Sequence, residues 1–137
     1  MARATRFGVS VPNELLKEFD AVVKKMGFRD RSKAIQVAMR NLISDYEWLH
    51  EVEGTCAGAI IMIFDHTVKG LEDSITHVQH HFIDIISSTM HIHLDERNCL
   101  EIVAVKGKSN SIRELAQKLA NIRGIKQIKI AIVHAKT

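Results

Sequence analysis

The residues with the clearest capacity for chemistry lie in one short stretch, His91-Ile92-His93 followed by Cys99-Leu100-Glu101. On a strand, residues two apart share a face about 6.5–7 Å from one another, so both imidazoles can reach one ion while Ile92 points the other way. The intervening Asp95-Glu96-Arg97-Asn98 is polar enough to turn a hairpin, which brings Cys99 back beside His93. A thiolate with two neutral imidazoles is a borderline-soft donor set. It suits Ni²⁺, Cu²⁺ or Zn²⁺ rather than Mg²⁺ or Ca²⁺. Glu101 falls on the same strand face as Cys99 and is placed to orient a ligand histidine from behind.

These three donors leave a fourth position open. The chain has eight histidines, and five of them (His77, His80, His81, His91 and His93) fall within seventeen residues. On a helix, residues 77, 80 and 81 share a broad face. Any of the three can supply the fourth donor, from the same subunit or another, and spacing does not choose. The same face could hold a separate zinc ion, but would need further ligands that are not apparent nearby in sequence.

The elements that must position these groups can be read from hydrophobic period. Strands are expected at Cys56–Phe64, Ile85–His93, Cys99–Lys106 and Ile125–His134, with helices at Lys69–Phe82 and Ser111–Ile122. This β-α-β-β-α-β order is the ferredoxin-like arrangement, a four-stranded antiparallel sheet with both helices on one face. The first strand, Ala59-Ile60-Ile61-Met62-Ile63, is apolar on both faces, so the side away from the helices is expected to meet another subunit.

A different unit precedes it. Residues 5–11 alternate, with Phe7, Val9 and Val11 on one face and Arg6, Gly8 and Ser10 on the other, which predicts a short strand. Pro12 opens a helix that Gly27 stops, and Asp30-Arg31-Ser32 starts a second helix reaching about residues 48–50. A lone strand leaves its backbone unpaired and two helices bury little, so an intertwined dimer is expected, in which the strand pairs with its own copy. Such a two-stranded ribbon fits the major groove of B-DNA. Arg6, Gly8 and Ser10 would then face base edges, and Arg31, Ser32 and Lys33 at a helix start would hold phosphate. The expected division is a DNA-binding domain over 1–50, a linker over 51–55 and a metal-binding domain over 56–137.

Charge and composition agree with this division. Residues 1–50 carry nine Lys or Arg against six Asp or Glu, leaving +3, whereas residues 51–137 carry ten of each. The whole excess therefore sits on the unit expected to meet an anionic partner. No apolar run is long enough to span a bilayer, and residues 1–8 lack the apolar core of a secretory signal, so a cytoplasmic protein without membrane association is expected. In that compartment Cys56 and Cys99 read as a core thiol and a metal ligand rather than a disulfide.

The chain resembles the nickel-responsive regulators of bacteria and archaea, which join a ribbon-helix-helix domain to an ACT-like regulatory domain. The segments that carry the resemblance are Arg31-Ser32-x-Ala34-Ile35, Asp65-His66, Gln79-His80-His81 and the His-x-His-x₅-Cys-Leu-Glu run from His91 to Glu101. It implies an α+β chain that is not an enzyme, one Ni²⁺ per subunit, and a square-planar N₃S site of His91, His93 and Cys99. The fourth ligand is then His80 from a neighbouring subunit, with Gln79 and Glu101 supporting the ligands. It further implies a homotetramer, a dimer of dimers, that binds a double-stranded DNA operator and represses nickel uptake. Gly8 departs from the hydroxyl residue usual at that place in the ribbon. Lys33 and Val37 stand where some relatives carry acidic residues. The rival reading is an ACT-domain regulator that senses a small molecule such as an amino acid.

Overall fold

The computed structural model describes residues 3–51 and 54–134, and the chain divides into two compact units, Met1–Ile43 and Ser44–Thr137. Part of the expected linker, residues 52 and 53, lies outside the described residues.

The first unit holds α1 (Asn13–Lys25) and α2 (Arg31–Glu51) as far as Ile43, after residues 3–12, which form no strand. A strand needs a hydrogen-bonded neighbour, and a single copy of this segment has none. Helix α1 ends as its sequence requires. Gly27 adopts φ +74°, the Gly27 amide donates to the Lys24 carbonyl at 3.1 Å, and the Phe28 amide donates to the Val23 carbonyl at 3.0 Å. This pattern satisfies two otherwise orphaned carbonyls. Asp30 caps α2 by accepting from the Lys33 amide at 2.8 Å. The helices are regular, yet among the described residues of this unit only Ala34 is buried. Phe7 and Val9 are 65% and 70% exposed, and Leu15, Val22, Met39, Leu42 and Ile43 are also open.

The second unit has a proper core. Strands β1 (Thr55–Asp65), β2 (Ile86–His93), β3 (Asn98–Lys108) and β4 (Ile125–His134) form one antiparallel sheet in the order β2-β3-β1-β4. Helices α3 (Leu71–His81) and α4 (Ser109–Ala120) complete the β-α-β-β-α-β order. On one face Ile60, Met62 and Phe64 of β1 and Val103 of β3 pack with Leu71 and Ile75 of α3 and Ile112, Leu115 and Leu119 of α4, all buried. Each such side chain contributes roughly 1.5–3 kcal/mol through burial. Ile61 and Ile63 of β1, on the opposite face, stay only partly covered.

The start of one helix differs from expectation. Helix α3 starts at Leu71 rather than residue 69. The Asp65 carboxylate accepts from the Thr67 amide at 2.8 Å and Gly70 sits at φ +80°, so the chain turns before the helix begins. Gly58, in the middle of β1, is a place where no other residue fits: a Cβ would lie 2.0 Å from the Ala131 carbonyl oxygen of β4.

Candidate metal centre

The β2–β3 hairpin sets the site. Its register pairs His91 with Glu101 and His93 with Cys99, all four on the sheet face that the helices cover. The turn is held by Asp95, whose carboxylate accepts from the amides of Arg97 at 2.8 Å and Asn98 at 2.7 Å. Hydrogen bonds from the Asn98 side chain, then from these amides, hold Asp95 well below the usual carboxylate range, at about 2.

Around this hairpin the polar groups interlock. The Cys99 Sγ lies 3.4 Å from His93 Nδ1. Two donors to a single ion, at about 2.0–2.1 Å for nitrogen and 2.3 Å for sulfur, stand roughly 3.1–3.6 Å apart, so this pair already has a ligating span. Cys99 is buried, and desolvation followed by the nearby carboxylates pushes its thiol up. His91 Nε2 donates to Glu101 Oε1, leaving Nδ1 as its free donor atom. Gln79 of α3 donates from Nε2 to the other Glu101 oxygen at 2.5 Å. Glu101 is only 2% exposed; burial raises its carboxyl, against the lowering by Gln79 and His91. This chain of side chains runs α3–β3–β2 and fixes the His91 ring, as outer-shell partners of metal ligands do.

The expected residues are not all brought together. Among the described residues of one chain, no group of three or more His, Cys, Asp or Glu is arranged to hold a metal ion. His91, His93 and Cys99 share a face, but His91 is turned to Glu101 while Cys99 faces His93. His80 stands apart and exposed. At about 100° per residue it points away from the helix face defined by Leu71, Ile75 and Val78, which packs on the core. His77 and His81 pair with one another instead. One nearby imidazole had no assigned part: His66, whose ring lies 6.3 Å edge-on from that of His93 and whose Nε2 is 2.6 Å from the Glu96 carbonyl oxygen. Only the register that sets the end of β1 beside the hairpin turn reveals it, because the two histidines are far apart in sequence.

The residues expected at DNA sit on the other unit. Arg6, Gly8 and Ser10 are exposed. Ser32 and Lys33 are exposed at the start of α2, whereas Arg31 forks onto Asp20 of α1 with contacts of 3.0 and 2.8 Å.

The donor set fits a borderline divalent ion, and the Glu101 network yields a test of how it is held. Glu101→Gln keeps the side-chain size but cannot accept from both partners as a carboxylate does. It is expected to weaken binding of such an ion by roughly 10–100-fold with the fold intact, as read by competition with a chelator; unchanged affinity would remove Glu101 from the support of His91.

Comparisons with known proteins bear on the family of the chain. Residues 57–133 match the family model described as the NikR C-terminal nickel-binding domain. A protein of Methanocella arvoryzae named "Putative nickel-responsive regulator" is 41% identical over 132 residues, covering 96% of this chain and 94% of that one. Its namesake in Methanocaldococcus jannaschii is 39% identical over 133 residues, covering 97% and 94%. Among solved structures, an uncharacterized protein from Thermotoga maritima shares the fold at a TM-score of 0.50 and 15% identity, over 61% of this chain and all of that one. No helix among the described residues is long and apolar enough to cross a membrane. The chain belongs to the nickel-responsive regulator family, whose members are regulators rather than enzymes.

Proposed function

We propose that the chain is a nickel-dependent DNA-binding repressor of nickel-uptake genes, acting in the cytoplasm as a homotetramer with one Ni²⁺ per subunit. The observation that carries this reading is the β2–β3 register, which sets His93 against Cys99 and His91 against a buried, anchored Glu101. His91, His93 and Cys99 of one subunit would hold the nickel together with a His80 from a neighbouring subunit, and a ligand set shared in this way would favour one arrangement of subunits. His80 is exposed and directed away from its own core, which suits a ligand given to a neighbour. The partly covered outer face of β1, with Ile61 and Ile63, suits packing against another regulatory domain.

The N-terminal unit supports an intertwined ribbon-helix-helix dimer, because a single copy leaves its apolar residues in water. In the dimer, Phe7, Val9 and Val11 turn inward and Arg6, Gly8 and Ser10 meet base edges. Ser32 and Lys33 hold phosphate. Arg31 joins them at little cost, since a solvent-exposed ion pair such as that with Asp20 is weak. If metal and DNA favour the same subunit arrangement, each raises affinity for the other by the same factor.

One titration tests the whole reading: Ni²⁺ and, separately, Zn²⁺ added to protein and operator, with absorption and DNA binding read in the same sample. Nickel should tighten operator binding; equal DNA affinity with and without nickel overturns it. Arg6→Ala is expected to cost about 1–3 kcal/mol at the operator, relaxing specificity at one base pair. No loss in a binding titration would take the ribbon out of the readout.

A further inference from the structure

Helix α3 carries a second pair of donors that the hairpin site does not use. His77 and His81 are four residues apart, on consecutive turns of the same face. Their rings meet edge to face with centroids 4.7 Å apart, and the two Nε2 atoms approach to 3.3 Å. Both side chains are exposed. His80 is one position from His81, which on a helix turns it by about 100° away.

The 3.3 Å separation is informative. Two imidazole nitrogens bound to one tetrahedral zinc ion at about 2.0–2.1 Å stand roughly 3.3 Å apart. The pair therefore already has the bite of a chelate, with the nitrogens that must face the ion turned toward one another. In the metal-free chain this contact works as a hydrogen bond only when one Nε2 carries a proton and the other does not. When a divalent ion takes both Nε2 lone pairs, that proton moves through water to the Nδ1 of the same ring, and two neutral imidazoles become the ligands.

We propose that His77 and His81 form a separate surface site for a divalent transition-metal ion of the zinc type, held by the two Nε2 atoms with water completing its shell. Having only two protein ligands, the site is weaker than a four-donor centre and open to solvent. Copper(II) also enters it, following the order of divalent affinities for imidazole. The ion cross-links one turn at the end of α3, the turn that contains Gln79 and His80. The site needs neither Cys99 nor the β2–β3 hairpin, so it stands whether or not the hairpin binds nickel.

The test is equilibrium dialysis of the full chain against excess Zn²⁺, with zinc counted per chain. Alanine is a strong helix former, so His77→Ala and His81→Ala should fold normally. Each variant alone should hold one zinc fewer than the parent, because a chelate fails when either half is removed. Zinc should also slow amide exchange across residues 77–81 in the parent and in neither variant. Equal zinc content in parent and variants overturns the site, as does loss in one variant only.

Discussion

Replacing Cys99 with alanine should abolish tight nickel binding, together with the thiolate-to-nickel absorption band. Among the described residues, Cys99 is the one sulfur on the helix-covered face of the hairpin, 3.4 Å from His93 Nδ1. Its loss should exceed the roughly 10–100-fold expected when an outer-shell partner is removed. The deletion also leaves a small void, so stability is measured beside affinity; a folded variant that keeps the band would overturn the assignment. The same thiol sets a pH dependence. Burial raises it, so at neutral pH the free protein carries a proton there that metal binding must displace. Affinity should then fall as pH falls, by roughly tenfold per unit for one displaced proton. An affinity that is flat with pH would show that no thiol proton is released. His80 gives a companion result. If it serves the partner subunit, subunits carrying His80→Ala and subunits carrying His91→Ala, each inactive alone, should regain some nickel sites when mixed.

The second large effect concerns the first unit. Phe7→Ala should destabilise the N-terminal unit by about 3–5 kcal/mol if Phe7 is buried in an intertwined dimer. In a single copy Phe7 is 65% exposed, and an exposed site changes stability by only about 0.5 kcal/mol either way. The two states are thus separated by a factor of several. Urea unfolding of the full chain at several protein concentrations reads both the size and the dependence on association. A small effect independent of concentration would exclude the ribbon. If operator binding uses that ribbon, the same variant should lose DNA binding while keeping the nickel band.

Much of the second unit was legible in the residues. The β-α-β-β-α-β order follows from a change of hydrophobic period between two and 3.6, and the observed strands lie within a few residues of those expected. The hairpin was legible too, since five residues between His93 and Cys99 leave room for little except a tight reversal. Helix starts were less so: α3 begins late because Asp65 and Gly70 shape a turn, an effect of side-chain hydrogen bonding that apolar spacing does not record.

The composition and spacing of the chain by themselves determined which residues stand as candidate donors. His91, His93 and Cys99 share a face because strand residues alternate, and they favour borderline metals because of what imidazole and thiolate are. Only the tertiary structure decided how the three α3 histidines divide. Packing of Leu71, Ile75 and Val78 on the sheet sets the rotation of the helix. That rotation sends Gln79 to Glu101, pairs His77 with His81, and leaves His80 directed away from its own core. A helical period says which residues share a face, but the facing direction comes from the buried contacts, which join residues distant in sequence.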